Sequence, residues 1–393
     1  MPKIKVLHII TRLIRGGADE NTVHTVEGLS PEDYEITLVS GPAAEGEMEQ
    51  YLKQCKFQVL SSLQRQINPI KYFLAFWQLV RIIRNGRFQV VHTHVAKAGI
   101  LGRFAAKFSG TPIIIHSLHG ITFHRHLSTP VRLFYLVMER LADKCTDLFM
   151  DVGEDLKKTY VKNGIGCADK HVVVRSGFDL SRFQKAGGNR SIHKKNLVER
   201  FDLPENSILV GTAARLESRK GIKYFIDAAK QICEEIPNVY FLVAGQGREK
   251  SQLEKYGETS GLNGRLRFTG FEHAIEVYLA GLDFFILSSL WEGLPRILVQ
   301  AIAVGLPVVS FQVEGVREII KHGENGFIVP SRDVITLKKR IMELLNDPSL
   351  IKKMSQYSKN NLLSDWNFEN MVAQIDTIYR SLLLEKKIIP AKN

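Results

Sequence analysis

Short apolar runs recur along the chain, each followed by a polar or glycine-bearing turn and then a stretch of helical spacing. The first, Lys3 to Ile10, predicts a strand that opens into Arg15-Gly16-Gly17-Ala18-Asp19 and a helical pattern to about Leu29. Short runs of this kind between turn signals mark strands buried on both faces, as in parallel sheets. Tyr34 to Ser40 and Phe57 to Leu60 predict two more. Residues 71–84, KYFLAFWQLVRIIR, read as a helix, with Lys71, Gln78, Arg81 and Arg84 forming a narrow polar stripe on an apolar, aromatic cylinder. Such a helix is either mostly buried or rests on a membrane interface with its cations toward the headgroups.

Gln89 to Val91 predicts a strand running into His92-Thr93-His94, and Pro112 to Ile115 one running into His116-Ser117-Leu118-His119-Gly120. Both histidine sets are expected at strand C-terminal ends, where open α/β sheets bind ligands. Strands at Phe149–Val152 and Val172–Arg175 complete a first α/β series. Asp179 to Ser191 lacks periodicity and holds two glycines, so it is the expected linker. A second series runs through Ile208–Thr212, Val239–Ala244, Leu266–Phe268, Phe284–Leu287 and Pro307–Ser310. The repeat lies at the level of domains: two strand–helix sheets in tandem.

Composition narrows the setting. A chain of 393 residues has room for two or three full cores, and 45% hydrophobic with 24% charged residues is the balance of a soluble folded protein. The cysteines, Cys55, Cys145, Cys167 and Cys233, form no CxxC or metal-spaced pair, which argues against a disulfide framework or zinc site and for a reducing, cytoplasmic compartment. Met1 to Leu13 has too short an apolar core for a signal peptide, and no apolar stretch is long enough to span a bilayer. The net charge of +12 is concentrated: twelve lysines and arginines, and no Asp or Glu, stand between Gln50 and Met138. A field of one sign favours an anionic partner, such as nucleic acid, an acidic membrane or a phosphorylated acceptor. No aromatic-interleaved basic motif or nucleic-acid module accompanies it, so no nucleic-acid partner is expected.

Two stretches carry candidate chemistry. In Ser288–Ala301, a buried strand, a polar turn and a helix beginning near Pro295 place backbone amides and a dipole at one point, ready for an anion. Glu292 stands at its mouth and Gln300 lies on the helix, so a polyol and a phosphate could be held together, as in a sugar nucleotide. In Ala214–Gly221, Arg215 and Lys220 follow another strand and could converge on a diphosphate as fixed cations. The sequence contains no Asp-x-Asp pair for a divalent metal.

The order of GGA (16–18), ARLESRKG (214–221), AGQG (244–247), FTGF (268–271), SSLWEGLPRILVQA (288–301) and GVREIIKHGENGFIV (315–329) resembles bacterial members of glycosyltransferase family 4, over essentially the whole chain. The resemblance implies the GT-B fold: two Rossmann-like, doubly wound α/β domains facing across a cleft, residues 1–183 and 184–365, with a C-terminal helix at about 366–386 returning to the first. It implies a retaining transferase with no metal or cofactor, moving a hexose or N-acetylhexosamine from a nucleotide-diphosphate sugar, UDP being expected. His119, Glu292, Arg215 and Lys220 are then the expected catalytic residues. Arg215 and Lys220 would grip the diphosphate, with Gly16 and Gly17 closing from the first domain. Glu292 would hold sugar hydroxyls, the amides near Gly293 and Leu294 would meet phosphate, and Gly245, Gly270 and Phe271 would line the donor site, the last two near the nucleobase. His119 would lie near the reacting carbon.

The segment HTHVAKAGILGRFAAK (92–107) with SLHGITFH (117–124) further resembles members that build lipid-linked polysaccharide or O-antigen units. That implies a lipid-linked glycan acceptor and peripheral contact of residues 50–138 with the anionic inner face of the cytoplasmic membrane. A soluble acceptor and a UDP-sugar 2-epimerase of the same fold are the alternatives. The family's Glu-x7-Glu pair here ends in Gln300, whose amide can still hydrogen-bond both ribose hydroxyls. Its Asn-Gly-(Ile/Val)-Asp motif appears as Ser176-Gly177-Phe178-Asp179.

Overall fold

The apolar runs become thirteen strands among the described residues of the computed structural model, which are 2–14, 17–42, 48–64, 68–124, 127–262, 264–361 and 366–389. The chain forms two units, Met1–Phe178 with Trp366–Asn393, and Asp179–Asp365. In the first unit the strands are β1 (Ile4–Ile10), β2 (Tyr34–Ser40), β3 (Lys56–Val59), β4 (Val90–His94), β5 (Ile113–Leu118), β6 (Leu148–Asp151) and β7 (His171–Val173). The helices between them are α1 (Gly17–Gly28), α2 (Pro69–Gly86), α3 (Ala96–Phe108), α4 (Thr129–Asp143) and α5 (Glu154–Lys162). All pairings are parallel and the order is β3-β2-β1-β4-β5-β6-β7. Sequence order reverses between β1 and β4, the switch point at which doubly wound sheets open a crevice beyond their C-terminal ends.

The second unit begins with α6 (Ser181–Gly188) and α7 (Arg190–Arg200). The stretch expected as a linker, Asp179–Ser191, is therefore mostly helix. Its apolar residues are anchored: Phe183 and Ala186 are buried, and Gly187 lies so close to Val304 that a Cβ would stand 2.5 Å from the Val304 carbonyl oxygen. Tertiary packing overrides the weak local pattern.

There follow β8 (Ile208–Ala213), α8 (Ile222–Cys233), β9 (Val239–Ala244), α9 (Lys250–Thr259), β10 (Leu266–Gly270), α10 (Ile275–Ala280), β11 (Phe284–Leu287), α11 (Arg296–Val304), β12 (Val308–Phe311), α12 (Val316–Ile319), β13 (Gly326–Val329), α13 (Val334–Asn346) and α14 (Pro348–Asn361). The sheet is again parallel, in the order β10-β9-β8-β11-β12-β13, with its switch point between β8 and β11. Phe241, Phe284 and Phe311 fill its core with Phe225 and Ile226 of α8. α8 carries this because its apolar residues fall at helical spacing on one face.

The last helix, α15 (Phe368–Glu385), belongs to the first unit and packs on α1. Asn367 caps it by accepting from the Asn370 amide. The Phe178 amide donates to the Trp366 carbonyl, so the chain re-enters the unit beside the point where it left. Tyr34 donates to Asp376, Arg380 pairs with Asp33, and Lys386 with Asp147, while Met371, Val372, Ile375, Tyr379 and Leu383 are buried beneath.

Candidate functional site

In the second unit, the expected donor-binding residues gather on loops leaving the C-terminal ends of neighbouring strands. The loop after β8 carries Arg215, Glu217, Arg219 and Lys220; the loop after β11 carries Glu292, Gly293 and Leu294. Gly221 brings them together. Its φ is +60°, and a Cβ there would lie 2.1 Å from the Ser288 carbonyl oxygen, so only glycine fits. That approach lets the Leu290 amide donate to Arg219 and the Ser288 hydroxyl to the Lys220 carbonyl.

Across this seam, Lys220 Nζ stands 2.5 Å from Glu292 Oε1, and Arg219 Nη1 is 3.7 Å from Glu292 Oε2. The Lys220 and Glu292 side chains are only 15% and 10% exposed, so the pair sits where a charge is screened less than at the surface. Arg215, at 58% exposure, reaches Glu217 at 3.7 Å, and Arg219 reaches Glu217 at 3.1 Å. Burial alone would raise the Glu217 carboxyl, but the Arg219 hydrogen bond and charge, with Arg215, hold it below the usual range. Arg219, which the motif contained but sequence reasoning left without a role, ties both carboxylates together.

The remaining donor-side candidates lie on the same rim. The Gly245 amide donates to the Gly270 carbonyl, joining the ends of β9 and β10, and the Leu216 amide donates to Gln246. Phe271, half exposed, stands edge-on to His273. α11 starts at Arg296, one residue later than expected, with Pro295 as the residue before it. Its positive end still follows directly on Glu292-Gly293-Leu294. Gln300 lies one turn further on and is half buried.

The first unit's candidates are arranged differently. Gly17 opens α1 after β1; Gly16 lies outside the described residues. As expected, His92 and His94 occupy the C-terminal end of β4, and His119 directly follows β5 and is half buried; His92, His94 and the β5 residue His116 are wholly or almost wholly buried. The strands run longer than their apolar cores because β1 and β5 flank β4 and pair with it through the histidines. His8 of β1, which sequence reasoning passed over, sits opposite His92 in register. A polar residue inside the apolar run Val6–Ile10 was the available signal.

Each of His8, His92 and His94 brings one ring nitrogen within 4.8 Å of the others, the reach of a single ion. Every one of their nitrogens is nevertheless engaged: His8 with His94 and Tyr379, His92 with Tyr379 and Ser117, His94 with His8 and His119. Burial pushes His8 down to about 3, and His92 and His94 below the ordinary imidazole range, so all three are neutral. Directly after His94, Val95 has φ +57°, a strained conformation for a β-branched residue, at the switch point of this sheet.

Known proteins share both halves of the chain. Residues 193–361 match the family model "Glycosyl transferases group 1", and residues 17–151 match "Glycosyl transferase 4-like". The chain belongs to the family 4 glycosyltransferases. This glycosyltransferase is similar to the UDP-Gal:alpha-D-GlcNAc-diphosphoundecaprenol alpha-1,3-galactosyltransferase of Escherichia coli, with 28% identity over 98% of each chain. It is also similar to the capsular polysaccharide biosynthesis glycosyltransferase CapM of Staphylococcus aureus, with 21% identity over 98% of this chain and 100% of that one. The crystal structure of Anabaena HepE in complex with UDP and glucose superposes with a TM-score of 0.78 at 20% identity, over 96% of this chain and 100% of that one. The glycosyltransferase therefore has the GT-B fold, with a Rossmann-like parallel sheet in each unit.

Proposed function

We propose that the protein is a retaining, metal-independent glycosyltransferase of cell-envelope polysaccharide biosynthesis, moving a hexose or N-acetylhexosamine from a UDP-sugar to a polyprenyl-diphosphate-linked saccharide. The observation that carries this is the Arg215–Lys220–Glu292 set at the switch point of the second unit. Similarity to the Escherichia coli enzyme along 98% of both chains supports a UDP-sugar donor and a lipid-linked acceptor, with UDP-galactose the first donor to test.

A diphosphate entering this rim competes with Glu292 for Lys220. Once Lys220 and Arg215 turn to phosphate oxygens, the Glu292 carboxylate becomes an acceptor for sugar hydroxyls. Negative charge grows on the departing diphosphate as the glycosidic bond breaks, so fixed cations and the positive end of α11 act most strongly in the transition state. The leaving group's own oxygen can then take the acceptor's proton on the same face, which preserves configuration and needs no metal. Gln300 would hold the ribose hydroxyls.

We infer that the first unit docks on the anionic inner face of the cytoplasmic membrane. On α2, Ile70, Phe73, Leu74 and Trp77 are exposed, as are Leu133, Phe134, Val137 and Leu141 on α4. Both helices pack on α3, whose exposed Phe108 meets Trp77 edge-on and lies under the Arg84 guanidinium, 5.1 Å from its ring centre. Arg81, Arg84, Lys107 and Arg132 are exposed within the acid-free segment, giving an apolar surface with a cationic border. No helix among the described residues is long and apolar enough to cross a membrane.

The test is incubation with UDP-galactose and polyprenyl-diphosphate N-acetylglucosamine in the presence of a chelator. A lipid-linked disaccharide with the donor's anomeric configuration is expected. Loss of activity in the chelator would refute metal independence, and an epimerised UDP-sugar formed without acceptor would replace the transferase reading.

A further inference from the structure

Arg219 and Lys220 are neighbours on a single 3-10 turn, Ser218–Lys220, yet they meet different oxygens of one carboxylate. Lys220 Nζ lies 2.5 Å from Glu292 Oε1, and Arg219 Nη1 lies 3.7 Å from Glu292 Oε2. Three residues complete a turn of this kind, so successive side chains leave it about 120° apart and approach the carboxylate from two sides. The guanidinium is also held from behind, where its Nε donates to Glu217 Oε2 at 3.1 Å. A planar fork can span two carboxylates in this way, whereas an ammonium ends in a single point.

The backbone beneath is fixed as well. The Leu290 amide donates to the Arg219 carbonyl, so Arg219 grips the loop that carries Glu292 by main chain and side chain together. On the other side of Glu292, Gly315 in the loop after β12 has φ +74°, and a Cβ there would stand 2.8 Å from the Gly293 carbonyl oxygen. Pinned before and after, the loop leaves Glu292 little freedom beyond rotation of its own side chain. Lys220 differs from Arg219: its charge ends a flexible four-carbon stem and pairs with Glu292. Of the two cations on Glu292, Lys220 is therefore the one that can leave, and Arg219 the one that stays.

We propose that Arg219 is a positioning residue for the donor sugar: it keeps hold of Glu292 Oε2 when a diphosphate draws Lys220 away, and so presents Oε1, the oxygen that Lys220 gives up, to a sugar hydroxyl. The inference rests on the reading of this seam as a nucleotide-sugar site. A carboxylate released with no second partner would sample several rotamers, and ordering it again would oppose sugar binding. Arg219 removes that cost by holding the carboxylate through the exchange. It stays with Glu217 and Glu292 and does not serve the diphosphate, which separates its role from that of Arg215 and Lys220.

Calorimetric titration of the full chain with UDP, UDP-galactose and UDP-N-acetylglucosamine separates the two roles, because UDP carries the diphosphate without the sugar. Arg219→Lys keeps the charge and removes the fork. It is expected to leave the Kd for UDP unchanged and to weaken the tighter-binding UDP-sugar about tenfold, the effect of misplacing one hydrogen bond to a charged group. UDP binding at the wild-type level is also the check that the variant is folded. Equal weakening of UDP and UDP-sugar would put Arg219 on the diphosphate, and no change in either would leave it without a part in sugar binding; both outcomes overturn the proposal. Glu292→Ala asks whether the effect passes through the carboxylate. Added to it, Arg219→Lys should cost UDP-sugar binding nothing further, whereas additive losses would show that Arg219 acts by another route and would overturn the proposal too. Wild-type protein that binds neither UDP nor either UDP-sugar would sink the nucleotide-sugar reading itself, while wild-type binding that Arg219→Lys leaves unaltered would sink this inference alone.

Discussion

The two units share one topology and differ at the place where that topology makes a site. At the β8–β11 switch point the chemistry is carried by loops: cations and a carboxylate, partly exposed and stitched together through glycine. At the β1–β4 switch point it is carried by the strands themselves: neutral imidazoles in the core, aligned by register and closed by a phenol from the far end of the chain. A shared fold thus fixes where polar residues can gather, while the residues placed there decide whether that point presents charge or buried neutral imidazoles.

Acid is the broadest way to separate the two. His8, His92, His94 and His116 are buried neutral, with folded pKa values below the unfolded value, so the unfolded chain binds more protons as pH falls below about 6.5. The stability they confer is fully present above that pH and declines as pH drops toward 3, by on the order of 1 kcal/mol per group per pH unit. The three histidines of the second unit are exposed or half buried. Spectroscopic probes placed in each unit should show the first melting earlier at pH 5 than at pH 7.5, with little change in the second; equal shifts would contradict the difference in burial.

Arg103 tests the first unit's core in another way. It lies within the basic segment, but its side chain is fully buried, 2.6 Å from Glu139. Arg103→Met strands a buried carboxylate and should destabilise the unit by about 3 to 5 kcal/mol, while the double change Arg103→Met with Glu139→Met should recover most of it. Thermal unfolding of both variants measures this.

In the second unit, Lys220→Ala or Arg215→Ala should lower kcat on the order of a hundredfold, as removal of an oxyanion-stabilising group does. Near-normal turnover would dismiss the cation pair. Gly221→Ala forces a side chain into a left-handed conformation, at about 1 to 2 kcal/mol for the backbone alone, with the clash against the Ser288 carbonyl adding to it. Its signature should be a rise in donor KM as the seam between the two loops opens, with the acid response of the first unit unchanged. The smallest effect is expected at the surface: Arg81→Glu with Arg84→Glu should weaken binding to anionic vesicles by about 1 kcal/mol per charge removed, in a salt-dependent way. Sedimentation with vesicles that matches wild type would remove the membrane surface from the proposal.

The strands were legible because a parallel sheet buries both faces and leaves apolar runs in the sequence, and the loop motifs were legible because glycine and charge stand out between them. Asp179–Ser191 misled because α6 is held by residues distant in sequence, such as Val304, rather than by a periodic pattern of its own. Arg103 looked like any other surface cation, since nothing local announces Glu139 as its partner. The histidine cluster was half visible: His92 and His94 alternate as residues on one strand face must, and His8 interrupts an apolar run. Tyr379, 287 residues beyond His92 in the sequence, is joined to it only by the fold.

The return of α15 also bears on how the molecule is made. A ribosome delivers β1 through β7, then every residue of the second unit, before it releases the helix that carries Tyr379. The second unit is one continuous segment and can fold while still attached, whereas the first must wait with His8 and His92 lacking their phenol. The imidazole cluster is thus among the last features assembled, because its phenol comes from the helix that emerges after the whole of the second unit.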